Sequence, residues 1–274
     1  MRQQTRNLEQ KARLAAADPW VEKLARFGLV AKGIVFSIVG ILAAQAAFGL
    51  GGKTTDTAGA LQTILTQPLG KFLLVLVAIG LFGYMLWRFI EAFLNPERDN
   101  IFGRLGSFIA GVIYAGLAFT AVKLILGNRS SSGEQATHDW TARFLAQPFG
   151  QWLVGIAGAL IIGMGFYEIY KAYKAKFRED LNWQQMDRNE RTWATNLGRL
   201  GYAARGVVFM AIGFFLIQAA RLSNPNQARG FGGALAALAA QPLGPWILGI
   251  VAIGLIAYGI YTLVEAKYRR IRTA

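Results

Sequence analysis

Six stretches of about 20 residues are almost free of charge, near 29–48, 70–90, 105–126, 150–170, 200–220 and 245–264. A helix of that length crosses a bilayer core of about 30 Å. The pattern therefore predicts an all-α membrane protein with six transmembrane helices, numbered one to six here. Between them lie polar segments with helix-start signals. Asp18-Pro19-Trp20 offers a cap and a first-turn proline before helix one, with Trp20 at headgroup level. Asp56-Thr57 and His138-Asp139-Trp140 open short helices expected to lie in the outer loops.

The apolar stretches are not independent of one another. Gln67-Pro68-Leu69-Gly70, Gln147-Pro148-Phe149-Gly150 and Gln241-Pro242-Leu243-Gly244 each open an even-numbered helix, 34, 36 and 35 residues after Gly33, Gly111 and Gly206. Such a fixed period marks tandem repeats, here three pairs of helices. The expected organisation is a tail (1–19), repeat one (20–99), repeat two (100–178), a polar linker (179–192), repeat three (193–266) and a basic tail (267–274). Two crossings per repeat give all three the same orientation, so an axis relating them runs along the membrane normal. A pseudo-threefold ring is expected, with an open arc as the other arrangement. Pro at a helix start loses no hydrogen bond, which makes the Gln-Pro string the expected first turn of helices two, four and six.

Aligning the repeats compares the chain with itself. Arg26, Arg104 and Arg199 precede the marker glycines by seven residues and are candidate lipid-headgroup contacts. Phe72, Trp152 and Trp246, then Trp87, Tyr167 and Tyr261, are aromatic in all three copies and stand as outer and inner interfacial anchors. Lys32 and Glu91 in repeat one match Arg205 and Glu265 in repeat three, so the expected ion pairs are Lys32–Glu91 and Arg205–Glu265, with Arg88, on the same helix face as Glu91, as the competing local partner. Repeat two has Ala110 and Lys171 at these places, and there Glu168 and Lys171 can pair along one helix. Gln45, Lys123 and Gln218 align near the outer ends of helices one, three and five and form a candidate polar ring.

Composition narrows the chemistry. There is no cysteine and a single histidine, so Cys-ligated and His-pair metal sites are not expected. No P-loop or dinucleotide fingerprint occurs, and no cofactor or enzymatic activity is expected. The net charge of +14 belongs to topology. Of 29 Lys and Arg, 22 fall on the side holding the N-terminus and 7 on the other. This asymmetry puts both termini in the cytoplasm and makes anionic lipid, rather than nucleic acid, the partner of the basic side.

At Gly198-Arg199-Leu200-Gly201-Tyr202-Ala203-Ala204-Arg205-Gly206, with the repeated Gln-Pro strings and six helices, the chain resembles the bacterial membrane family called domain of unknown function 1206. Repeat one nearly matches this signature from Arg26 to Gly33, and repeat two loses its tyrosine and second arginine. The resemblance implies three tandem two-helix repeats and a bacterial source, and it supplies no reaction. The expected protein is a non-enzymatic multi-pass module of a bacterial cytoplasmic membrane that associates with lipid or membrane proteins. A small channel or transporter with a path between the repeats is the alternative.

Overall fold

Long apolar runs free of interior proline form long helices, and short capped segments form the turns between them. The computed structural model describes residues 19–94, 101–128 and 133–270. Most of the expected N-terminal tail and the last four residues lie outside the described residues. The helices are α1 (Pro19–Ala47), α2 (Thr57–Leu65), α3 (Gly70–Leu94), α4 (Ile101–Ile125), α5 (Gly133–Leu145), α6 (Gly150–Tyr173), α7 (Arg188–Leu222), α8 (Phe231–Ala239) and α9 (Gly244–Tyr268). Six of them, α1, α3, α4, α6, α7 and α9, are long and apolar enough to cross a membrane. We call the end where α1 begins and α9 stops basal, and the end carrying α2, α5 and α8 distal.

The distal helices start as capping rules require. Asp56 accepts from the Gly59 amide at 2.8 Å. Glu134, in the first turn of α5, reaches the start of α8 and accepts from the Gly230 and Gly233 amides at 2.9 and 3.0 Å. The expected start of α5 at Asp139 is six residues late. Asp139 instead accepts from Gln135 inside the helix.

The Gln-Pro strings are turns, not first helical turns. In each, the glycine amide donates to the glutamine carbonyl, at 2.8, 2.9 and 2.7 Å. The residue between Pro and Gly is left-handed, with φ of 60°, 62° and 64° at Leu69, Phe149 and Leu243. Helices α3, α6 and α9 then begin at the glycine itself. Glycine is needed there because a Cβ would come within 2.3, 2.1 and 1.9 Å of carbonyl oxygens of the preceding short helix. A left-handed leucine or phenylalanine costs about 1–2 kcal/mol. All three side chains are held out, exposed, at the distal border.

The six long helices pack side by side in the order α6, α7, α9, α1, α3, α4. Glycine sets the closest contacts. A Cβ on Gly33 would lie 2.9 Å from the Gly259 carbonyl oxygen, and one on Gly206 would lie 2.7 Å from that of Gly165. These contacts join repeat one to repeat three and repeat three to repeat two, and small residues there let backbones approach. Within repeats one and three the hairpin closes through Ala31 on Gly80 and Ala204 on Gly254.

The three hairpins are not equal, so the expected threefold relation does not extend to repeat two. Its helices α4 and α6 stand at the two ends of the packing order and do not pair as α1/α3 and α7/α9 do. The cause lies in the sequence. Ile109 and Leu160 replace the Ala–Gly pair at the crossing point and are 43% and 65% exposed. Two branched side chains there take the place of the small pair through which the other two hairpins close. Gly106 and Gly163, on the same faces, have nothing within 4 Å of a Cβ position.

The polar linker is folded. Two short 3-10 turns cover Lys176–Asp180 and Trp183–Gln185. Phe177, Leu181 and Met186 are buried, and the segment bridges to the end of α9 through Asn182 N to Tyr268 O (2.7 Å) and Arg270 N to Asp180 O (2.9 Å). An Asp187–Glu190 capping box then starts α7, five residues before the boundary expected for repeat three.

Candidate functional site

The basal half of the helix bundle holds a cluster of charged and aromatic side chains contributed by all six long helices. Lys32 on α1 is 7% exposed. Its ammonium lies 3.3 Å from the Tyr84 hydroxyl and 5.2 Å from the ring centres of both Tyr84 on α3 and Tyr258 on α9. Arg88 donates to the same Tyr84 hydroxyl at 2.9 and 2.6 Å and to Glu91 at 2.6 Å. Ser107 on α4 donates to Glu91 at 2.9 Å, and Tyr114 on α4 meets the Tyr84 ring edge-on at 4.5 Å.

On the other side, Arg205 on α7 donates to the Tyr258 hydroxyl at 2.6 Å and stands 3.5 Å from Glu168 on α6. Lys171 on α6 reaches Asp180 at 3.6 Å and lies over the Tyr202 ring at 4.6 Å. Glu265 pairs with Arg269, both buried, and the Arg269 guanidinium stacks on Trp87 at 4.5 Å. Phe177, Tyr202, Tyr258 and Tyr261 pack around these groups with ring centres 5.2–5.7 Å apart.

This geometry corrects each expected ion pair. Lys32 has no carboxylate within 4.0 Å among the described residues and is held by aromatic faces instead. Glu91 belongs to Arg88, one turn away on its own helix. Arg205 takes Glu168 from the neighbouring repeat, Glu265 takes Arg269, and Lys171 takes Asp180. The physical reasons differ: Glu91 and Glu265 each find a cation one turn away in the chain, whereas Arg205 faces Glu168 across the close contact between repeats two and three.

The three candidate headgroup arginines divide in the same way. Arg26 donates to the carbonyls of Ala266 and Lys267, each at 2.7 Å, and pairs with Glu22 at 2.7 Å. Arg104 donates to Ala92 O at 2.8 Å and Phe93 O at 3.4 Å. Both satisfy carbonyls that have no partner inside their own helix. Arg199 is exposed, with no hydrogen bond or ion pair among the described residues.

The polar ring does not form. Lys123 is exposed over the Phe119 ring of its own helix (4.8 Å), Gln45 lines a groove between α1 and α3, and Gln218 is half-buried on α7. The outer aromatic anchors Phe72, Trp152 and Trp246 are exposed as expected. Of the inner set only Tyr167 is exposed. Trp87 and Tyr261 face the cluster, because position twenty after the glutamine points inward wherever the hairpin is closed.

Sequence reasoning missed Tyr84 and Tyr258, the two hydroxyls at the centre. Both stand seventeen residues after their glutamine, and the corresponding position in repeat two is Met164. That coincidence of tyrosines was the available signal.

Fold and cluster together define a multi-pass helical membrane protein built from three two-helix repeats. A family model matches the chain three times, over residues 27–95, 105–175 and 200–269, and its description is Domain of Unknown Function (DUF1206). The chain belongs to this family. It is also 38% identical over 256 residues to "Uncharacterized protein YxxB" of Bacillus subtilis (strain 168), a similarity covering 92% of each chain. No solved structure matches the chain.

Proposed function

We propose that the protein is a non-enzymatic structural module of a bacterial cytoplasmic membrane, with both termini in the cytoplasm, associating with lipid or other membrane proteins. The observation that carries this reading is the basal cluster. Lys32 and Arg205 reach a tyrosine hydroxyl or carboxylate of neighbouring helices, and Arg88 braces Tyr84 and Glu91 on its own helix, so the charges tie helices together. A transport site needs its polar groups along a path and free to exchange partners. The excess of basic residues at the basal end supports the orientation.

The second reading, a small channel or transporter with a path between the repeats, draws on one observation. Arg205 Nε and Glu168 Oε2 are buried without hydrogen-bond partners. One experiment separates the two. Purified protein in liposomes is assayed for ion and small-solute flux, and the same native-membrane preparation is examined for co-purifying proteins and lipid. Stable associates without flux support the module, and flux abolished by Arg205→Met supports the path.

A further inference from the structure

Between α1 and α3 lies a groove of about 490 Å³. Its walls are Phe27, Ile34, Ile38 and Ile41 of α1 with Leu73 and Leu76 of α3. Phe27 and Gln45, at its two ends on α1, are 18 residues apart, or about 27 Å along the helix. That is close to the roughly 30 Å thickness of a bilayer hydrocarbon core. Polar groups enter the lining only distally, at Gln45, Thr63 and Gln67. The side-chain amides of Gln45 and Gln67 have no hydrogen-bond partner among the described residues. Lys71, exposed in the first turn of α3, adds a cation two residues before Leu73.

The internal repeats fill the corresponding positions differently. In repeat three the places of Ile41 and Leu42 are taken by Phe214 and Phe215, whose rings pack edge-to-face at 5.5 Å. Gln218 stands at the place of Gln45 in both length and register, so the polar rim recurs while the apolar channel beneath it carries two rings.

We propose that the groove of repeat one holds an acyl chain of a membrane phospholipid, its headgroup at the distal rim. The inference rests on the membrane-module reading. An apolar slot about as long as the bilayer core, open along its length to hydrocarbon, fits a single extended chain. Two unpaired amides and a lysine at one end fit a phosphate and its ester oxygens. The site orients the lipid with its head beside Gln45 and Gln67 and its tail toward Phe27.

The test uses the full chain in nanodiscs of phosphatidylglycerol and phosphatidylethanolamine, followed by native mass spectrometry after stepwise delipidation. The blocking variant is Ile41→Phe with Leu42→Phe, which copies residues this chain already carries in repeat three. Ile253→Phe, on an exposed face outside the groove, is the control. The wild type and the control retain one phospholipid per chain that the blocked variant loses, with unchanged helical content. Equal retention by all three overturns the proposal, and so does a retained isoprenoid lipid or detergent in place of phospholipid. Flux measured on the same nanodisc-derived liposomes would overturn the module reading whatever the lipid count, so the two failures remain distinct.

Discussion

Arg26 donates a 2.7 Å hydrogen bond to the carbonyl of Ala266, 240 positions further along the chain. Arg104 makes the equivalent bond to Ala92 at 2.8 Å. Ala92 and Ala266 both stand twenty-five residues after their glutamine, so one device recurs at two of the three inter-repeat contacts. At the third, the Ala172 carbonyl accepts from the Ala175 amide at 3.3 Å and Arg199 makes no bond to it, because the chain turns into the 3-10 segment at Lys176 and covers that helix end itself.

Replacing Arg26 or Arg104 by methionine therefore removes charge-assisted bonds to helix-end carbonyls, each worth about 1.5–3 kcal/mol. Unfolding in mild detergent with increasing sodium dodecyl sulfate is expected to shift to lower denaturant for both variants. Arg199→Met is expected to change stability by less than about 0.5 kcal/mol. An equal loss at all three positions would show that the basic side chains act through the membrane surface instead.

The buried pair Glu265–Arg269 and the buried Lys32 should respond in opposite ways. Arg269→Met leaves the Glu265 carboxylate buried without its cation and should cost about 3–5 kcal/mol. The double variant Arg269→Met with Glu265→Leu should recover most of that loss. Lys32 has no carboxylate to abandon, so Lys32→Met is expected to be neutral or stabilising by up to about 2 kcal/mol. The same denaturation assay reads all three.

Glycines that look alike in sequence should differ sharply on substitution. Gly33→Leu and Gly206→Leu drive a side chain into a facing backbone and should cost more than about 3 kcal/mol, beyond ordinary overpacking. Gly163→Ala meets open space and should stabilise its helix by about 0.5–1 kcal/mol. Thermal unfolding of the purified variants checks the order.

The gap in repeat two is ascribed to Ile109 and Leu160. Restoring the small pair with Ile109→Ala and Leu160→Gly should let α4 and α6 close. Spin labels at Leu126 and Trp152, both exposed at the distal end, should then move closer together in a double electron–electron resonance measurement. An unchanged distance would mean that the inter-repeat contacts, not the crossing residues, hold the hairpin open.

The long helices, the threefold period and the capped distal helices were legible because each is a local pattern written within one segment. Partner choice was not. Lys32 and Glu91 align across repeats, and alignment invites pairing within a repeat, yet Arg88 lies one turn from Glu91 on the same helix and takes it first. Trp87 carries the composition of an interfacial anchor, but its face is decided by whether the hairpin closes, and that depends on Ala31 meeting Gly80. The left-handed Leu69, Phe149 and Leu243 were hidden for another reason. A non-glycine residue at positive φ breaks the usual preference, and the signal was the invariance of the glycine after it across three copies.

One of the two most extensive helix contacts of this chain joins helices far apart in the sequence. α1 lies against α9, with Gly33 and Gly259 backbone to backbone. During synthesis α1 therefore has an unfinished flank, glycine-lined and carrying the Lys32 ammonium, until α9 emerges. α1 waits for α9, and loss of α9 strikes a helix made long before it.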